Sequence, residues 1–250
     1  MGRRIALPPA RTCHIMPPID LLLSQAMAGL NGRWPLFDAF VLALSANALL
    51  KGGVMCGLLW WAWCAHGDAG GERSQHDRRL ILAVLASCGL GEVLARLLSK
   101  TLPFRPRPLL DPDLPFRLPG GLTAEALGIT TESSFPSDHG VLFFALATGI
   151  WLVSRRAGLL AFAWALVMIA LPRLYLGLHY ASDLLAGAAI GVVVSLAGAR
   201  LLPRLAPVKW AAAWASRQPA LFYPMFFVAM MELATMLVDV RALVVVLRQA

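Results

Sequence analysis

The stretch from Ser134 to Val153, SFPSDHGVLFFALATGIWLV, sets hydroxyl, carboxyl and imidazole groups at the head of an almost wholly apolar run. Gly140 to Val153 has the composition of a helix in lipid, and Pro136-Ser137-Asp138-His139 stands at its mouth. Polar side chains at membrane depth are costly unless they have partners and a task. Two further polar clusters lie beside apolar runs: Lys100 with Arg107-Pro108, and Arg173 with His179 and Asp183. Together the three supply the cations, donors and imidazoles that can grip a phosphate and break its ester bond, so they are read as one site.

Composition sets the frame for that reading. Of 250 residues, 58% are hydrophobic and only 14% charged, with a mean hydropathy of +0.68, well outside the range of a soluble domain. The chain is therefore read as an integral membrane protein, all-α because such apolar segments must satisfy their backbones internally. Apolar sequence from Leu36 to Ala65, interrupted near Asn47 and Lys51-Gly52-Gly53, is either one tilted span or two short ones. Clearer spans run from Leu80 to Ser99, Gly140 to Val153, Leu159 to Leu176, Leu184 to Leu202 and Leu221 to Val238. With ~20 residues needed per crossing, a polytopic transmembrane helix bundle of five or six spans is expected. Three parts follow: an interfacial lead-in over 1–35, a unit carrying the clusters over 36–202, and a basic connection with a further helix over 203–250. The lead-in lacks the long apolar core and small-residue cleavage site of a signal peptide. Its mildly amphipathic stretch Ile19 to Leu30, ending at the turn signal Asn31-Gly32, suits a membrane surface.

The formal charge of +8 points to anionic lipid rather than nucleic acid, because the excess Lys and Arg fall in short stretches between apolar runs. Arg73, Arg78 and Arg79, then Arg155 and Arg156, then Arg200, Arg204, Lys209 and Arg217 occupy alternate connections, which should face the cytoplasm. The three polar clusters then share the opposite face. The tail with Arg3, Arg4 and Arg11 does not fix its own side. Cys13, Cys56, Cys64 and Cys88 form no CxxC, and three lie in apolar runs, so they are read as packing residues and not as a metal or disulfide framework. Glu92 and Arg96, four apart, are expected to pair; Glu232 and Asp239, seven apart, share a helix face. Trp60, Trp61, Trp63 and Trp151 fit an interface belt. The stretch from Thr101 to Ser133 is long enough to cover a site or to be a simple connector.

Phosphoryl transfer is mainly positioning plus stabilisation of charge spread over the equatorial oxygens. Lys100, Arg107 and Arg173 can supply that charge, the two arginines as planar forks and the lysine as a mobile point charge. Ser137 adds a hydroxyl donor. Pro136 suits a helix start, whose free N–H groups and dipole favour an anion. No metal or other cofactor is needed for such a cradle. Asp183 lies four residues after His179, which puts both on one helical face and lets the carboxylate accept from one ring nitrogen. Asp138 either caps the helix start or shapes substrate choice by repelling extra negative charge.

In order and spacing, Lys100-x6-Arg107-Pro108, Pro136-Ser137-Asp138-His139 and Arg173-x5-His179-x3-Asp183 resemble the type 2 phosphatidic acid phosphatase (PAP2) superfamily, which also includes vanadium haloperoxidases. The resemblance runs from about Asp38 to Leu202. It implies that His179 attacks phosphorus to give a phosphohistidine, while His139 protonates the departing oxygen and later activates water. Asp138 stands where the family usually has Gly, and Pro172 where Ser is common before the arginine. The string from Ser134 to His139 looks like that of the bacitracin-resistance group of undecaprenyl diphosphate phosphatases. The implied activity is hydrolysis of a lipid phosphate or diphosphate, preferably undecaprenyl diphosphate, at the outer face of a bacterial inner membrane. Phosphatidate or phosphatidylglycerol phosphate is the alternative substrate. A phosphotransferase with a lipid or sugar acceptor, a haloperoxidase, and a non-enzymatic scaffold or transporter are the competing readings.

Overall fold

The structure, a computed structural model, describes residues 17–65, 71–127 and 129–238. Arg3, Arg4, Arg11, Cys13 and Asp239 lie outside the described residues. Among those described, the regular structure is entirely helical, as expected.

Helix α1 (Pro18–Leu30) opens on a proline in its first turn and closes at Gly32, whose φ of +86° is open to glycine at little cost. It is amphipathic in an inverted sense. Asp20, Ser24 and Ala28, at i, i+4 and i+8, face the protein, while Ile19 and Leu22 are exposed. Helices α2 (Pro35–Ala46) and α3 (Val54–Cys64) are bent by 64° at a break continued by a π-helical turn, Leu49–Gly53. The interruption seen in the sequence is thus a kink in one apolar pair: Asn47 Oδ1 accepts from the Leu50 N–H (3.0 Å) and restarts the helix. Helix α4 (Gly71–Thr101) is the longest, at 31 residues. Helix α5 (Asp138–Val153) is central, with Val141, Leu142, Phe143, Ala145, Leu146, Ala147 and Ile150 wholly buried. Helix α6 (Arg155–Trp164) passes through a π-helical stretch, Ala165–Ala170, into the short α7 (Leu171–Tyr175). Helices α8 (Ala181–Leu201), α9 (Ala206–Arg217) and α10 (Pro219–Ala234) complete the described chain.

Among the described residues, three segments are long and apolar enough to cross a membrane: α4, the continuous Arg155–Tyr175, and Ala181–Arg204; the bent α2–α3 pair would make a fourth. With that pair counted, five crossings require one of α5 and α10 to cross as well, and six require both. Each has 16 residues, about 24 Å of helix against a hydrocarbon core of about 30 Å.

Apolar burial gives little drive to helix association in lipid, so close backbone approach has to supply it. Helix α5 packs most extensively on α8, and the contact runs over glycines. A Cβ on Gly187 would fall 2.4 Å from the Ser137 carbonyl oxygen, and one on Gly191 2.2 Å from that of Val141. Gly187-x3-Gly191 is the small-residue spacing such contacts use.

The aromatic belt expectation needs correction. Trp63 is buried, stacked on Phe222 at 5.5 Å with its Nε1 donating to the Tyr223 hydroxyl (3.3 Å), and Trp60 packs on Phe226. Aromatic faces from α10 complement these rings better than the interface would. Trp61 remains exposed. Cys56 and Cys88 are buried free thiols and Cys64 is an exposed one. Glu92 does not pair with Arg96 either: its Oε1 has no hydrogen-bond partner, and Arg96 turns instead to Asp138 (3.6 Å) and Glu132 (4.0 Å).

Replacing Gly191 with Val should lower stability by roughly 1–3 kcal/mol through overpacking of the α5–α8 contact. Gly89→Ala on α4, where nothing lies within 4 Å of the new methyl, should raise it by about 0.5–1 kcal/mol. Thermal unfolding of the two variants in detergent micelles checks the contrast.

Candidate active site

Backbone hydrogen bonds stitch together the three segments that carry the polar clusters. The Ser134 N–H donates to the Arg105 carbonyl (2.8 Å), the Ser137 N–H to the Asp183 carbonyl (3.1 Å), and the Leu109 N–H to the Gly177 carbonyl (2.8 Å). Gly177 makes the α7–α8 turn possible: its φ is +65°, and a Cβ there would strike the Phe116 ring. The end of α4, the start of α5 and the α7–α8 turn therefore meet at one end of the bundle. The Arg155-Arg156 turn lies at the other end, as does the start of α4, where Arg78 bonds Ser216 of α9 (3.0 Å).

Lys100, Arg107, Asp138 and His179 line one cavity of about 310 Å³, together with Arg96 and Glu132. The long connector supplies part of its wall through Phe104, Thr131 and Ser133. Ser137, Arg173 and Asp183 are buried and, like the half-buried His139, do not line this space. Ser137 is the N-cap of α5, its Oγ accepting from the Gly140 N–H (3.3 Å), which leaves its O–H free to donate. A larger apolar groove, of about 490 Å³ between α3 and α10, contains none of the cluster residues.

His179 is almost fully buried. Its Nδ1 lies 2.9 Å from the Ser134 carbonyl oxygen, which can only accept, so the proton belongs on Nδ1 and the lone pair on Nε2. Nε2 faces Arg107 Nη1 at 3.3 Å. Burial, then the Arg107 and Arg173 guanidiniums, hold the imidazole well below the usual histidine range, so it is neutral at neutral pH. Burial also lowers Arg107, which donates to the Leu178 carbonyl (3.0 Å). The Nε atoms of Arg107 and Arg173 are buried with no hydrogen-bond partner. Two such orphaned donors on cations are what an anion would satisfy.

The direct His179–Asp183 hydrogen bond expected from their spacing is absent from this geometry. Asp183 Oδ2 stands 3.9 Å from Nδ1, and accepts instead from the Ser134 hydroxyl (2.5 Å) and the Tyr180 N–H (2.8 Å). The reason is local: Asp183 is in the first turn of α8, where free N–H groups compete for its carboxylate. His179 precedes that helix, so the i, i+4 face argument does not apply to it. Asp183 Oδ1 meets Arg105 Nη1 at 2.5 Å. Arg105 also donates to Asp20 on α1 (2.6 Å) and to Ser182 (2.8 Å), and lies 4.2 Å from the Tyr180 ring centre. Asp20, fully buried, accepts from the Ser182 N–H (2.8 Å) and hydroxyl (2.5 Å). Its carboxyl is held below the ordinary range: burial raises it, but the bonds from Ser182 and Arg105 outweigh that. Sequence reasoning missed both residues. Arg105 carried one faint signal, a second arginine two places before Arg107; Asp20 carried only its position as an acid in an apolar segment. Asp20 also joins the 1–35 lead-in to the unit expected over 36–202.

A model of the PAP2 superfamily matches residues 79–207, a little over half the chain. The chain belongs to the PAP2 superfamily. This is a family of membrane phosphatases, and the match includes all three polar clusters. The chain is also similar to the bacitracin transport permease protein BcrC of Bacillus licheniformis, 38% identical over 65 residues that make up 26% of this chain and 32% of that protein. It thus spans about a third of that relative's length. No solved structure matches the chain significantly.

Arg105→Gln should cost on the order of 3–5 kcal/mol by leaving two buried carboxylates without their cation, read by denaturation in micelles. A histidine-selective nitrogen NMR titration should find His179 neutral at pH 6.5, where an ordinary imidazole is half protonated. In Arg107→Gln its midpoint should rise.

Proposed function

We propose that this PAP2 protein hydrolyses the phosphate or diphosphate headgroup of a membrane lipid through a phosphohistidine, with undecaprenyl diphosphate as preferred substrate. The observation that carries the reading is the orientation of His179: a neutral, buried imidazole whose lone-pair nitrogen faces Arg107 at a cavity that Arg96 and Lys100 also line. In this reading Lys100, Arg107 and Arg173 hold the phosphoryl oxygens and Ser137 donates to one of them. His179 Nε2 attacks phosphorus, the P–O bond to the leaving group breaks, and His139 gives that oxygen a proton. Neutral His139 then takes a proton from water as the water oxygen displaces His179 from phosphorus. Asp183 and Arg105 act indirectly, by fixing Ser134, whose carbonyl orients the His179 ring.

The Ser134 to His139 string and the similarity to a bacitracin-named protein support a polyprenyl diphosphate over phosphatidate. The basic connections at the far end of the bundle support a site on the periplasmic side of the inner membrane. Purified protein should release phosphate from undecaprenyl diphosphate faster than from phosphatidate, with EDTA present. His179→Ala should abolish turnover with folding intact, and His139→Ala should lower it by about 10²–10⁴-fold. Failure to hydrolyse any lipid, or strict dependence on a divalent ion, would count against the mechanism; turnover only with an added acceptor would make it a phosphotransferase.

A further inference from the structure

Asp138, expected to cap the start of α5 or to shape substrate choice by repelling negative charge, does not cap the helix. The cap is Ser137. Asp138 Oδ1 lies 2.8 Å from the N–H of His139 and 2.8 Å from its Nδ1. Its other oxygen is 3.6 Å from Arg96 Nη2 on α4. A carboxylate so placed would repel a phosphate, but it suits an imidazole. Because the carboxylate can only accept, His139 carries its proton on Nδ1 and presents Nε2 to whatever lies before it. The ring is further held against Phe143, fully buried one turn on.

The two histidines therefore have partners of different charge. Nδ1 of His179 meets a neutral carbonyl, which does not reward protonation; Nδ1 of His139 meets a carboxylate, which does. Other groups also face the His139 imidazole: Arg173 of α7, Lys51 from the α2–α3 break, and His179 from the α7–α8 turn. Burial, and then the positive charge of Arg173 and Lys51, oppose its protonation. A substrate anion seated among Arg107, Arg173 and Lys100 would offset that repulsion and leave Asp138 to favour the imidazolium.

We propose that Asp138 is a positioning residue that fixes the tautomer of His139 and favours its protonated form, so that it governs proton delivery to the leaving oxygen. The proposal rests on the phosphatase reading above. It makes Asp138 most important where the leaving group is a poor one. A lipid alkoxide released from a monophosphate needs the proton; a lipid phosphate released from a diphosphate, or an activated aryloxide, needs it far less. Arg96, bridged through Glu132 to Arg107 (4.0 and 3.6 Å), anchors the carboxylate from behind.

The test is the pH profile of kcat/KM for Asp138→Asn, which keeps an acceptor for Nδ1–H but removes the charge. The basic limb, where the general acid loses its proton, should move to lower pH by about one unit or more. At pH 7.5 kcat/KM should fall about tenfold or more for a lipid monophosphate and by far less for an aryl phosphate with a good leaving group. Inhibition by inorganic phosphate should be unchanged or tighter. An unshifted basic limb with equal losses for every leaving group would overturn the proposal, as would weakened phosphate inhibition. Should the variant not fold, nitrogen NMR of His139 in the unaltered protein decides: a proton on Nδ1 is expected, and the opposite tautomer would overturn it. His179→Ala separates the two levels. If it leaves hydrolysis intact, the phosphohistidine reading itself fails; if it abolishes hydrolysis while Asp138→Asn behaves as the parent, only the role of Asp138 does.

Discussion

The backbone contact between α5 and α8 sets everything else at this end of the bundle. Gly187 and Gly191 let α8 approach the first turns of α5 until carbonyl oxygens occupy the space where methyl groups would sit. At that separation the Ser137 N–H reaches the Asp183 carbonyl, and the segments carrying His139 and His179 become neighbours. In lipid, where apolar side chains gain little by leaving the solvent for one another, such van der Waals contact and the hydrogen bonds it permits are the main source of cohesion. The same contact explains why the three polar clusters collect beside the buried helix α5.

Charge is organised around that contact in two layers. Deeper lies a closed set, Asp20, Arg105, Asp183, Ser182 and Ser134, in which every carboxylate oxygen has a donor and the cation is shared between two acids. A buried set of this kind contributes fixed geometry more than stability, since desolvation consumes most of its Coulomb energy. Nearer the cavity the balance reverses. Arg107 and Arg173 keep buried N–H donors without acceptors, and burial holds His179 neutral among them. The inner layer is satisfied and rigid; the outer one is short of negative charge, the condition expected of a seat for a phosphate.

Much of this was legible beforehand. Composition required a helical membrane protein, and the spacing of three short clusters pointed to the PAP2 superfamily. Other features were out of reach for particular reasons. A four-residue interval suggested that Asp183 would bond His179 and that Glu92 would bond Arg96. Both inferences assumed that helical neighbours are the best partners available, but the α8 N-terminus and Ser134 claimed one carboxylate, and Asp138 drew the arginine away. Asp20 lies more than eighty residues from Arg105 in sequence, with no local pattern to connect them. Trp63 looked like an interface residue because α10, which covers it, is also far along the chain.

The class of fold, the order of the clusters and the chemical types they contain follow from the residues alone, because they depend on composition and short-range periodicity. Tertiary structure decided which groups touch: that a carbonyl rather than a carboxylate orients His179, that Asp138 holds His139, and that the N-terminal helix closes the ion network. Hydrogen-bond partners are chosen by competition among all groups brought within 3 Å of one another, and only the packing of distant helices says which groups compete.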